Sequence, residues 1–367
     1  MRLALVHDYL TQYGGAERVL HTLHRQWPDA PVFTSMYSQE ALPAEFASWS
    51  IHESPIARIP GARQSHRMWL PLYPAIFGQL GRSIDDADIV LADSSAWAHH
   101  ANPGNDIPLV VYCHSPARFL YRDRHYLDAS DSTRSVTRAM NTMFAPYRML
   151  DRRAAQRAAR VIANSQAVAK RIQDAWGIDA PVIHPPVDIE RFAPTSPIEP
   201  DDWFLVVSRL VPHKWIDRAI RAANETGFRL KVIGDGRARR DLEALAGPGV
   251  ELLGQLPDHE VVTHMQRCLA LILPGVEDFG MTVVESQAAG RPVIAAHGGG
   301  ALETIEPGVT GLHFDIDDEQ SLARSMSEAR SMSWDSDTIR ASTERYARGR
   351  FLDAMRGSLE DVLTRGG

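Results

Sequence analysis

Four groups of residues in this 367-residue chain have the types and spacing to do chemistry. Glu277 and Glu285 are separated by seven residues and flank Phe279-Gly280-Met281-Thr282, a glycine turn opening a helical stretch. Arg209 and Lys214 flank a turn at Pro212, so both cations can leave one strand end. His114 directly follows the apolar run Leu109 to Cys113, and Gly14-Gly15 precede a helix pattern at Val19, Leu20, Leu23 and Trp27. An acid beside a phosphate-binding turn is poorly placed for charge but well placed to accept hydrogen bonds from hydroxyls, as a sugar would supply. The alternative is two solvated acids at a helix start. Two fixed cations suit a departing nucleoside diphosphate, because negative charge grows on its oxygen as the bond breaks. Paired basic loop residues that are merely solvated are the other reading. A His at the carboxyl end of a parallel strand projects into a crevice, although a lone His is commonly structural. Gly14-Gly15 would let backbone amides approach a phosphate closely, but the loop lacks the three-glycine dinucleotide spacing and can equally be a tight turn.

The elements that must position these residues read as strand, glycine turn and helix in repetition. Leu269 to Leu273 is a buried strand ending at Pro274-Gly275, and a helix carrying Glu285 closes at Gly290. A second strand, Pro292 to Ala296, runs into Gly298-Gly299-Gly300 and another helix start. Two such turns side by side are how an open parallel sheet builds a ligand crevice at its carboxyl edge. The helix beginning near Gly280 would point its amides and positive dipole end into that crevice. Further strands are expected at Leu3 to His7, Val32-Phe33, Asp88 to Ala92, Leu109 to Cys113, Arg160 to Ala163, Trp203 to Val207 and Leu230 to Ile233. The last ends in Gly234-Asp235-Gly236, another crevice turn. The class is therefore α/β. Length predicts two or more domains, and the Pro-rich stretch PTSPIEPDD places the boundary between 1–195 and 196–344. A final amphipathic helix is read through Ile339, Tyr346, Phe351, Met355, Leu359 and Val362.

Composition removes several classes. A formal charge of −7 argues against nucleic acid as a partner. Cys113 and Cys268 lie far apart, with no disulfide framework or zinc pattern. The start MRLALVHDYL is too short an apolar run for a signal peptide, and no run approaches the ~18 residues needed to span a bilayer. A cytoplasmic protein is the simplest expectation. One acid-free segment, 56–83, mixes Arg58, Arg63, Arg67 and Arg82 with Trp69, Leu70, Leu72, Tyr73, Ile76 and Phe77. It suits an anionic membrane surface, which would make the protein peripheral on the inner face of the plasma membrane; otherwise it is a proline-broken helix covering the core. Residues 134–160, with seven arginines and Asp151 as the sole acid, are either a solvated face or a second such strip.

Glu277 and Glu285 lie inside EDFGMTVVESQAAGRPVIA, followed by GGGALETI and GVTGLHF. With GGAERVL, YCHSPARFLY and SRLVPHK, this resembles the family-4 retaining glycosyltransferases, most of all bacterial mannosyltransferases that use GDP-mannose to build surface or secreted polysaccharides. The resemblance implies the GT-B fold: two facing Rossmann-like domains with a central cleft, and a C-terminal helix, 345–367, crossing back to the first. It implies that Glu277 contacts the donor sugar hydroxyls and that backbone groups of Phe279, Gly280, Met281 and Thr282 meet the sugar and phosphates. Glu285 would hold the nucleotide ribose, Arg209 and Lys214 the diphosphate, and His114 would lie near the donor sugar. Gly14, Gly15 and Gly234 would line the donor crevice, and the turn at Leu256 would meet the base through backbone groups. Trp215 stands where a further Arg often follows the Lys in related sequences. The implied reaction moves a sugar onto a glycan or lipid-linked acceptor hydroxyl. No Asp-x-Asp metal motif is read from the chain, which fits a reaction requiring no metal and no cofactor beyond the donor. UDP-glucose or UDP-N-acetylglucosamine is the alternative donor. A nucleotide-sugar epimerase of the same fold would spread paired acids over both domains, a pattern not seen. A non-catalytic nucleotide-binding protein could dispense with the cations and Glu277, all of which are present.

Overall fold

The computed structural model describes residues 1–63, 69, 71–104, 107–121 and 134–365, the side chains of 134–143 excepted. Arg67 and Leu70, and the side chains of Arg134 and Arg138, lie outside the described residues.

Near-continuous apolar runs bounded by glycine turns fold as parallel strands buried on both faces. Among the described residues they make two parallel sheets of six strands each. The first contains β1 (Leu3–His7), β2 (Val32–Thr34), β3 (Ile51–Glu53), β4 (Ile89–Ser94), β5 (Leu109–Cys113) and β6 (Arg160–Ala163), in the order β3-β2-β1-β4-β5-β6. The second contains β7 (Phe204–Val207), β8 (Leu230–Ile233), β9 (Val250–Gly254), β10 (Ala270–Leu273), β11 (Val293–Ala296) and β12 (Gly311–Phe314), in the order β12-β11-β10-β7-β8-β9. Alternate residues of each strand feed opposite cores, as the two-residue period requires. Leu5 packs with Leu20, Tyr112 and Phe351 on one face, and Val6 with Phe77, Val111 and Trp176 on the other. In the second sheet Leu205, Leu271 and Val284 share one core, and Val206, Ile272 and Met326 share the other.

The chain divides into two compact units. The first holds the described residues up to Pro186 together with Phe351 onward; the second runs from Val187 to Arg350. The change comes ahead of the Pro-rich stretch because Val187, Ile189 and Phe192 are buried in the second unit's core. The tail is not one helix. Ile339 lies on the helix Ser336–Ala341 and Tyr346 on a short 3-10 turn that packs against Phe279, whereas Arg348–Arg365 is the final helix. Phe351, Met355, Leu359 and Val362 bury one face of that helix on the first unit.

The basic-aromatic segment spends most of its rings on the core. Tyr73 and Phe77, on the helix Tyr73–Arg82, are buried, and Trp69 and Ile76 pack beside them. Ile59 and Leu72 remain exposed with Arg58, Arg63 and Arg82, and Arg63 pairs with Glu53 at 3.1 Å. Cys113 and Cys268 are both buried and are not joined in a disulfide. Among the described residues, no helix is long and apolar enough to cross a membrane.

Candidate functional site

In the second unit the functional side chains stand at the carboxyl ends of β7, β8, β10 and β11. After β10 the chain turns through Pro274-Gly275, where a Cβ would sit 3.2 Å from the carbonyl oxygens of both His213 and Lys214. Glycine thus lets this turn lie directly on the turn after β7. The approach brings Lys214 and Glu277 together, and the ammonium donates to Glu277 Oε1. Both side chains are about one-fifth exposed, so the pair is partly shielded yet reachable. The cation and acid assigned by the resemblance to different parts of a donor therefore touch each other. Arg209 is exposed two residues past the end of β7, at the entry to the same turn.

The triple glycine after β11 has a packing reason. A Cβ on Gly299, whose φ is +62°, would lie 2.0 Å from the Glu277 carbonyl oxygen, and one on Gly300 would lie 2.3 Å from the Phe279 Cα. Gly300 N–H donates to the Glu277 carbonyl at 3.0 Å. Backbone contact between the two turns holds Glu277 in place from behind. The helix Met281–Ala288 starts at Gly280, φ +82°, and Val283 N–H is already bonded to the Gly280 carbonyl. Met281 and Thr282 thus occupy the first turn, where helix amides point outward. The Phe279 side chain is buried against Tyr346, so only its backbone can serve a ligand. Glu285 is buried on the helix. At Gly234 (φ +128°) a Cβ would strike the Ser208 carbonyl at 1.9 Å, so this glycine keeps the β8 turn against the Arg209 loop. Leu256 packs its side chain against the core, in keeping with a backbone role there. Trp215 adopts a left-handed φ of +56°, rare for a bulky side chain, and the Arg218 guanidinium stacks 4.1 Å from its ring centre.

The sequence contains three Asp-x-Asp triplets, and each has a local partner. They are Asp86-Ala87-Asp88, Asp315-Ile316-Asp317 and Asp335-Ser336-Asp337. Asp315 accepts from Asp317 N–H at 2.9 Å, and Asp335 caps the helix Ser336–Ala341, accepting from Asp337 N–H at 3.0 Å. Asp86 and Asp88 instead both pair with the Arg2 guanidinium.

In the first unit, strand register assembles a polar chain. His7 pairs across with Asp93 at the ends of β1 and β4, and β5 delivers His114 beside them. Asp93 Oδ2 lies 2.9 Å from His7 Nδ1, and Oδ1 lies 2.6 Å from His114 Nε2. Beyond His7, Glu17 Oε1 lies 3.8 Å from Nε2, while Glu17 Oε2 accepts the Gly14 N–H at 2.8 Å. His7, Asp93 and Glu17 are buried, and His114 is the partly exposed end. Burial opposes the His7 imidazolium, but Asp93 and Glu17 together outweigh it and raise His7 to about 10. Burial likewise opposes both carboxylates, and the histidines hold each below its ordinary value. A carboxylate bound to Nε2 leaves His114 Nδ1 to meet a ligand hydroxyl. The Gly14 amide, expected to face a phosphate, is committed to Glu17 in a capping box. Nearby, Asp8 accepts the N–H groups of Ser95, Ala96, Trp97 and Ala98 at 2.5–3.0 Å, locking the turn after β4.

Residues 13–191 match the description "Glycosyltransferase Family 4", and residues 188–349 match "Glycosyl transferases group 1". The chain belongs to the family-4 glycosyltransferases. This glycosyltransferase is 37% identical over 113 residues to an uncharacterised glycosyltransferase of Methanocaldococcus jannaschii, covering 29% of this chain and 32% of the relative. It is 31% identical over 194 residues to a GDP-mannose-dependent monoacylated alpha-(1-6)-phosphatidylinositol monomannoside mannosyltransferase of Corynebacterium glutamicum, covering 45% and 51%. The chain thus spans about half or less of the length of these curated relatives. The solved structure of Anabaena HepE in complex with UDP matches with a TM-score of 0.76 at 20% identity, covering 98% of this chain and 100% of that one. The fold of this glycosyltransferase is GT-B, with two parallel six-stranded sheets.

Sequence reasoning missed His7, Asp8, Glu17 and Asp93 as site residues. Polar groups at the ends of apolar strands, Leu3 to His7 and Ile89 to Ser94, were the available signal.

Proposed function

We propose that this glycosyltransferase moves mannose from GDP-mannose, with retention of anomeric configuration, onto a hydroxyl of a glycan or lipid-linked acceptor. The observation that carries the chemistry is the Lys214–Glu277 contact at the start of the helix Met281–Ala288. A donor's diphosphate would take Lys214 and Arg209, together with the amides of Met281 and Thr282, and release Glu277 to the sugar hydroxyls. Glu285 would hold the ribose. In the transfer, the bond from the sugar C1 to the diphosphate oxygen breaks and a bond from C1 to the acceptor oxygen forms on the same face. The acceptor proton passes to the departing diphosphate oxygen. Fixed cations stabilise the charge growing there. No metal is required in this scheme.

The donor assignment is supported by the motif resemblance and by the named donor of the Corynebacterium relative. UDP-glucose or another UDP-sugar is the second reading, since HepE carries UDP on the same fold. A thermal-shift panel of GDP, UDP and ADP, followed by donor hydrolysis and transfer assays, separates them. A ligand that binds the folded state raises the melting temperature with its concentration and affinity. Stabilisation by GDP with release of mannose from GDP-mannose is expected; stabilisation by UDP alone overturns the donor. NMR of the product's anomeric configuration tests retention. An acceptor in a lipid surface would bring Arg58, Arg82, Ile59 and Leu72 against anionic headgroups, a peripheral attachment we include in the proposal.

A further inference from the structure

Three buried polar atoms in the first unit converge without making a hydrogen bond: Nε2 of His99, Nε2 of His100 and Oδ1 of Asp151. Oδ1 lies 3.0 Å from the His99 nitrogen and 3.6 Å from the His100 nitrogen, and all three atoms lie within 4.8 Å of one another. The His99 contact is short enough for a hydrogen bond but lacks the alignment that one needs. The side chains of His99, His100 and Asp151 are 1%, 7% and 0% exposed, so bulk water does not account for the unpaired atoms. Buried polar atoms left without partners are costly and rare.

We infer that His99, His100 and Asp151 form a buried site for a divalent transition metal of the zinc class. An ion about 2.0–2.1 Å from each ligand in tetrahedral geometry places neighbouring ligand atoms roughly 3.3 Å apart, between the two separations observed. The surroundings prepare the ligands as metal sites require. Asp151 Oδ2 is occupied by Trp176 Nε1–H at 2.6 Å and the Tyr121 hydroxyl at 2.7 Å, which leaves Oδ1 for the ion. Ser94 Oγ lies 3.2 Å from His99 Nδ1; accepting the proton there leaves a lone pair on Nε2. Three protein ligands leave a fourth position for water. Ser94 follows Asp93, so the ion would pin the turn after β4 to the helix Arg134–Ala155 directly behind the His114 partner. This ion would take no part in sugar transfer, and the inference stands whichever donor is used.

The test uses the full chain, equilibrated with Zn²⁺, desalted and assayed for metal by mass spectrometry, and separately loaded with Co²⁺. The expected result is one zinc per chain, an intense tetrahedral Co²⁺ absorption and a raised melting temperature. His100→Gln should keep a native far-UV circular dichroism spectrum while losing the stoichiometric zinc, the cobalt band and the metal-dependent stabilisation. Asp151→Asn should do the same where it folds, and His100→Gln decides if it does not. A folded wild-type protein that retains no zinc, or a His100→Gln protein that retains as much as wild type, overturns the site.

Discussion

Lys214 and Glu277 neutralise one another at the strand ends, and a donor must separate their roles. Removing the acid therefore has an asymmetric consequence. Glu277→Ala should lower kcat by orders of magnitude, because a contact made mainly in the transition state is lost. Calorimetry should show nucleoside diphosphate still binding, since Lys214 is then free of its acid; near-normal turnover would remove Glu277 from the reaction. Arg209→Ala or Lys214→Ala should instead weaken both diphosphate affinity and turnover, by about 10²–10³ in rate for a lost donor to the leaving oxygen. Unchanged diphosphate affinity in both variants would take them out of the site. The visibility of these residues in the sequence had a local cause: each lies within a few positions of a strand end and a glycine or proline turn. His7, Asp93 and Glu17 had no such visibility as a group. They are brought together by the register of β1 against β4 and by a helix that returns over the sheet, which is tertiary information.

At the scale of elements, glycine separates two effects that substitution experiments usually mix. Gly299 and Gly308 both have left-handed φ, +62° and +80°, but a Cβ on Gly308 would meet nothing within 4 Å. Gly308→Ala should cost only the backbone term, about 1–2 kcal/mol. Gly299→Ala must also displace the Glu277 carbonyl, so it should unfold at lower urea and lose turnover, while Gly308→Ala keeps its turnover. Equal stability losses with full activity in both would dissociate the glycine turn from the placing of Glu277. The central strands β1, β4, β5, β7, β8, β10 and β11 were legible because strands buried on both faces read as unbroken apolar runs. Of the edge strands, β6 was legible and β3, β9 and β12 were not, since Ile51–Glu53 and Val250–Gly254 carry exposed and charged positions and Gly311–Phe314 begins on glycine. The basic-aromatic segment carries two readings at once, because rings suited to a lipid interface equally fill a core. With Tyr73 and Phe77 buried, attachment rests on Arg58, Arg82 and two exposed apolar side chains. Co-sedimentation with anionic vesicles should be released by high salt, as screened surface attraction must be. Absence of binding at low salt would leave the acceptor in solution.

For the molecule as a whole, the buried His7 cation links stability to alkaline pH. Its folded value of about 10 lies above the ordinary 6.5, so its stabilisation is complete below about 6.5 and is lost as pH rises through about 10. Apparent urea midpoints of wild type should fall between those limits more steeply than those of His7→Gln; parallel profiles would mean that His7 is not charged. The final helix carries another consequence, for the order in which the protein can be made. The first unit needs Phe351, Met355, Leu359 and Val362 to close one face of its sheet, yet Val187 to Arg350 belong to the second. On a ribosome adding about 5–20 residues per second, the first unit waits through the synthesis of the entire second unit without the Phe351 ring that packs on Tyr112. The unit translated first is thus completed last, and for that interval its open apolar face is a surface that chaperones, or neighbouring nascent chains, can reach.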